Sequence, residues 1–163
     1  MPAGSTYTPI ATTRLGSATN QVNFNSISGS YTDLVLICGI FSSTAGNTYL
    51  RFNNNSSSIY SRTRLSGSGS AVSSNRVSNT NTGYIDTIAT NSPSEVIIVN
   101  VMNYSNGQVF KTYLARANNA DSGVDATVGL WSSTSAITSI SVYTDSGNFS
   151  IGSTFTLYGI ASA

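Results

Sequence analysis

The feature that most constrains this chain is its punctuation. Short apolar or alternating segments recur about every 8–12 residues, parted by clusters of Gly, Asn, Ser and Asp. That rhythm suits the strands of a sandwich or barrel and is too short for helices. The segments read as strands are Tyr7 to Leu15, Gln21 to Ile27, Leu34 to Phe41, Thr48 to Phe52, Ile59 to Leu65, Tyr84 to Ala89, Glu95 to Met102, Gln108 to Arg116, Val124 to Trp131, Ile137 to Tyr143 and Ser153 to Ile160. The expected fold is all-β, an antiparallel β-sandwich formed as a single domain over residues 1–163.

Leu34 to Phe41 and Glu95 to Met102 are nearly continuously apolar. Such runs predict strands in the middle of their sheets with both faces covered. Within Asn103-Tyr104-Ser105-Asn106-Gly107 the Asn-Gly pair lies between two strand patterns and predicts a tight turn with positive φ. Asp145-Ser146-Gly147-Asn148 predicts a second turn. Ser66 to Thr82 is rich in Gly, Ser and Asn, is apolar only at Ala71, Val72 and Val77, and reads as a long surface loop. No solenoid or propeller repeat is visible.

Composition removes several functions. The chain has 163 residues, of which 8% are charged and 39% hydrophobic. Ser, Thr and Asn make up roughly 40%, in place of the roughly 25% of charged residues an ordinary domain carries. With no histidine there is no imidazole for a nucleophilic pair, for most zinc sites or for acid/base work near neutral pH. Seven basic against six acidic residues provide no excess for phosphate neutralisation, so nucleic acid is not an expected partner. One cysteine excludes an internal disulfide framework. Met1 to Leu15 lacks the basic head and apolar stretch of a signal peptide, and no apolar run approaches the ~20 residues of a membrane helix, so no membrane association is expected.

Few residues invite chemistry. Cys38, inside Leu36-Ile37-Cys38-Gly39-Ile40, reads as a packed thiol. Asp121 and Asp125 lack the ligand spacing of an EF-hand loop and read as turn residues rather than calcium ligands. A glycosidase needs two carboxylates facing one cleft, roughly 5–9.5 Å apart. The fold could bring Asp86 and Glu95 together, but nothing in their spacing requires it. No catalytic residue, metal ligand or cofactor site is expected, and the chain is not read as an enzyme. Arg51, Arg62, Arg64 and Arg76, interleaved with Tyr49, Phe52 and Tyr60, form the candidate partner-binding patch, against the simpler reading of a solvated sheet face. Arg62 and Arg64 share one face of a strand. Trp131 reads as core, and the sequons at Asn54, Asn103 and Asn148 are expected by chance at this composition.

Natural sheets guard their edges with charges, lysine above all, and the only lysine among these strands is Lys111. A net charge of +1 also leaves little mutual repulsion between copies. Both features predict a homo-oligomer of closed cyclic symmetry, a trimer.

A set of segments points the same way: Gly29-Ser30-Tyr31-Thr32-Asp33-Leu34-Val35-Leu36, Leu50-Arg51-Phe52-Asn53, Met102-Asn103-Tyr104-Ser105, Val128-Gly129-Leu130-Trp131-Ser132 with Ala136-Ile137-Thr138-Ser139-Ile140, and Asn148-Phe149 with Gly152-Ser153-Thr154-Phe155-Thr156-Leu157-Tyr158-Gly159-Ile160. Together they resemble a recurrent group of tailed-bacteriophage virion proteins. The resemblance implies a jelly-roll-like β-sandwich used as a structural part of the particle. Such modules serve as capsid cement (decoration) proteins or as domains of tail and fibre proteins. A short chain with no coiled-coil shaft and no visible tail anchor fits cement better. The expected partners are then the major capsid protein and further copies of the chain, on the capsid exterior. The competing expectation is a tail or fibre module that recognises a host surface glycan through Tyr- and Asn-rich loops, and a carbohydrate-active enzyme is a third.

Overall fold

The computed structural model describes residues 6–88, 95–119 and 123–161, with only the backbone of Asn119. The described residues contain no helix. They form twelve strands: β1 Tyr7–Arg14, β2 Gln21–Phe24, β3 Asp33–Ile40, β4 Gly46–Phe52, β5 Tyr60–Gly67, β6 Val72–Thr80, β7 Gly83–Ile88, β8 Glu95–Met102, β9 Lys111–Asn119, β10 Gly123–Trp131, β11 Ile140–Thr144 and β12 Thr154–Ile160. The chain is therefore all-β as expected. Ala89, read as the end of a strand, and Asp121 lie outside the described residues.

Two antiparallel sheets face each other, one of eight strands in the order β1-β12-β3-β8-β9-β10-β5-β6 and one of four in the order β2-β11-β4-β7. Without the two hairpins β5–β6 and β9–β10, what remains is β1-β12-β3-β8 against β2-β11-β4-β7. The chain crosses between these sheets at every step except β4 to β7, which is the jelly-roll path. Both hairpins add to the same side of the larger sheet, beyond β8, and this addition doubles its width.

The inner faces meet in one apolar cluster that includes Leu34, Leu36, Cys38 and Ile40 of β3, Ile97, Val99 and Val101 of β8, and Phe155 and Leu157 of β12. Under the added hairpins the filling is aromatic. Phe52 lies 5.6 Å from Trp131 and 6.1 Å from Tyr113 between ring centroids, and Tyr60 stacks on Trp131 at 6.4 Å. Trp131 and Cys38 are core residues, as read. Burial pushes the Cys38 thiol well up, which leaves it an inert packing group.

Three sequence expectations need correction. β3 and β8 are central in the large sheet, but β8 is covered on one face only: Val96 and Met102 point away from the core and are exposed. An apolar run here marks a strand with an apolar outer face, not a second covering layer. The Asn106-Gly107 pair does not make a two-residue turn. The β8–β9 ladder closes at Met102–Thr112, the connection spans residues 103–110, and the positive φ falls on Asn103 at 51°. Gly147, at φ 65°, does occupy the second expected turn. The segment Ser66 to Thr82 is not a long loop: it holds the end of β5, a short turn in which Ser68 N–H donates to Ala71 O at 3.0 Å, and the whole of β6. β6 is exposed on both faces, so it has no apolar alternation to read. Lys111, the one lysine among the strands, lies at no edge. It starts the interior strand β9, is fully buried, and donates from Nζ to the carbonyls of Asn106, Val109 (2.7 Å) and Thr134 (3.1 Å).

Candidate functional site

The four arginines of the expected patch do not form one surface. Arg76 on β6 is directly opposite Thr63 of β5, so both point to the outer face of the large sheet. Arg62 and Arg64 point to the other side, towards the small sheet, with their guanidinium carbons 4.1 and 5.2 Å from the ring centre of Tyr84. Arg64 is also paired with Asp125 at 2.6 Å. Arg51 sits on β4 of the small sheet, over the Tyr143 ring at 4.8 Å, and its Nε donates to Asn81 O at 3.4 Å. Tyr143 stacks on Tyr49 at 5.7 Å, and Tyr49 meets Tyr84 edge-on at 5.9 Å. Arg51, Arg62 and Arg64 are thus parts of a half-buried cation–aromatic ladder that runs from the outer face of the small sheet to the β5–β6 hairpin. Only Arg76 of the four is exposed, with no partner among the described residues.

Next to this ladder the fold builds a polar cleft of about 270 Å³, lined by Arg64, Ser66, Ser73, Asp86, Glu95 and Asp125 among others. Asp86 and Glu95 do come together here, at 2% and 3% exposure. Both line this cleft, and each carboxyl is a near neighbour of the other. Asp86 Oδ2 and Glu95 Oε2 are buried without a hydrogen-bond partner. Burial first, and then the neighbouring Glu95, pushes Asp86 well above the usual carboxylate range, and burial raises Glu95 too. The pair is a buried acid clasp between β7 and β8 that favours holding a proton. Among the described residues no group of three or more His, Cys, Asp or Glu could hold a metal ion. Asp125, the residue weighed for calcium, is engaged by Arg64 and accepts from Tyr84 OH at 3.3 Å. Tyr84, the aromatic beside the cleft, is 2% exposed and offers no open ring for a sugar.

The largest chemically distinctive surface is the outer face of the eight-stranded sheet. In the cross-strand register Val72, Gly67, Val124, Asn118 and Val96 share one row, and Leu65, Ala126, Arg116 and Ile98 the next. Leu65, Val124 and Val128 are 55–59% exposed. Between β1 and β9 the same face dips into a groove of about 370 Å³ lined by Tyr7, Val35, Met102, Leu114 and Ile160 among others. The charged residues on the face are Arg14, Arg76, Arg116 and Asp33. These three arginines are also the cations with no partner among the described residues, the other four being Arg51, Arg62, Arg64 and Lys111. No layer covers this face among the described residues. Sequence reasoning missed Arg14 and Arg116 because the hairpin insertion that brings distant strands into one sheet leaves no local signal.

No known family model matches the chain, and no curated protein matches it.

Proposed function

We propose that the chain is a structural protein of a tailed-phage virion, a cement protein that binds the outer capsid surface between capsomers and stabilises the head. The observation that carries this reading is the uncovered apolar face of the large sheet, on which all three unpaired arginines lie. Such a face suits an extended protein surface that combines apolar ground with carboxylates. Repeated contacts by a self-associated cement protein gain avidity, and binding only to the expanded lattice stabilises it by mass action. Pelleting the purified protein with expanded, DNA-free shells of its own phage tests the reading. Saturable co-sedimentation that is lost in Arg76→Glu/Arg116→Glu supports it. No binding by the wild type, or unchanged binding by the double variant, removes it.

A second reading, a tail or fibre module that recognises a host glycan, draws on the polar cleft. Its Ser66, Ser73 and Asp125 could hydrogen-bond sugar hydroxyls. Calorimetry with host surface polysaccharide tests it, and heat of binding that disappears in Asp125→Ala favours this reading over cement.

A further inference from the structure

A sheet edge left unpaired is a template for another strand, so each of the four edges here should carry a device that closes it. Three do. β1 has Pro9 and a register shift between Pro9 and Ala11. β2 is four residues long. β7 is covered by β10, β9 and β5 of the opposite sheet. β6 is different. From Val72 to Val77 it runs in regular register with β5, contains no proline or lysine, and pairs with nothing on its other side among the described residues. Val72 at its start is 84% exposed. Its flat stretch is bounded by the Ser68–Ala71 turn at one end. At the other end Ser78 and Asn79 bulge opposite Ser61, with Asn79 at φ 58°.

We propose that β6 pairs antiparallel with β6 of a second copy across a two-fold axis through Ser74, joining two large sheets into one. The occupant follows from the strand's own pattern. Ala71, the last residue of the turn, to Val77, the last before the bulge, form a stretch centred on Ser74. Antiparallel pairing about that centre sets Val72 opposite Arg76, Ser73 opposite Asn75 and Ala71 opposite Val77. The one charge on the strand therefore meets a valine and not its own copy, avoiding like charges directly opposite each other. Closure gives the symmetry: each copy has one open edge, so edge contact closes as an isologous pair. A three-fold ring built by edges would need a second open edge, and β1 is blunted, so edge pairing favours a dimer over the expected trimer.

Ser74 is exposed and points outward beside Leu65, so a charge there leaves the protomer intact. Light scattering and sedimentation of the full chain at micromolar concentration should give a dimer. Ser74→Lys and Ser74→Glu, each with wild-type thermal unfolding, should be monomers, with dimer affinity weakened ~tenfold or more. Mixing the two variants should restore a dimer, since the opposite charges then meet at the axis. A wild-type monomer, or an oligomer whose mass neither variant changes, would overturn the proposal.

Discussion

The ring of Tyr113 lies across the backbone of Gly129, its direct partner in the β9–β10 ladder, so close that a Cβ on Gly129 would fall 1.9 Å from Tyr113 Cζ. From that position the Tyr113 hydroxyl donates to Tyr84 O at 2.9 Å and ties the added hairpins to β7 of the small sheet. Gly129→Ala must expel the ring. It should destabilise the fold by about 3 kcal/mol, combining overpacking with a lost buried hydrogen bond. Tyr113→Phe keeps the ring and loses the bond alone, at about 1–2 kcal/mol. Urea unfolding of the two variants checks the order.

The Asp86–Glu95 clasp sets a pH dependence. Its pKa is raised in the folded state, so the folded chain holds a proton that the unfolded chain releases. Stability from that proton is fully present below the ordinary carboxylate pKa of about 4 and is lost as pH rises towards the raised value. One proton gives at most about 1.4 kcal/mol per pH unit, or roughly 3–5 °C in Tm for a domain of this size. Thermal unfolding at several pH values should show Tm falling from mildly acidic to neutral pH. Asp86→Asn should flatten the slope.

Lys111 closes the 103–110 connection from inside by satisfying three carbonyls that no other group reaches in this way. Lys111→Met fills the volume and orphans them, and should destabilise by about 3 kcal/mol or more. Chemical denaturation would show this as a lower midpoint at unchanged slope.

The corrected roles of the arginines predict opposite phenotypes. Arg64→Ala leaves Asp125, whose side chain is 8% exposed, without its cation, and should cost about 2–3 kcal/mol of stability. Arg116→Ala touches nothing among the described residues and should stay within about 0.5 kcal/mol of wild type. Its loss should appear in shell binding instead. Denaturation and pelleting measured on both variants separate the two roles.

Where one face of a strand is buried, the sequence was legible. Leu34 to Phe41 and Glu95 to Met102 announce themselves by apolar content and Ser153 to Ile160 by alternation, and together they contain three neighbouring strands of the large sheet. β6 was not legible, because a strand that projects beyond the small sheet buries almost nothing and keeps Ser and Asn on both faces. The arginine patch failed for a related reason. Alternation places Arg62 and Arg64 together on one face, and they are together, but it does not say that this face turns inward onto Tyr84. Asp86 and Glu95 are joined by topology: β7 and β8 lie in different sheets, and their acids meet where the sheets approach.

The most direct measurement of the central claim is cryo-EM of the purified phage particle that carries this chain. The account predicts copies in numbers comparable to the major capsid protein, seated on the capsid exterior with the Leu65, Val124 and Val128 face against the shell. A particle without the chain, or one in which that face looks into solvent while another surface makes the contact, would contradict it.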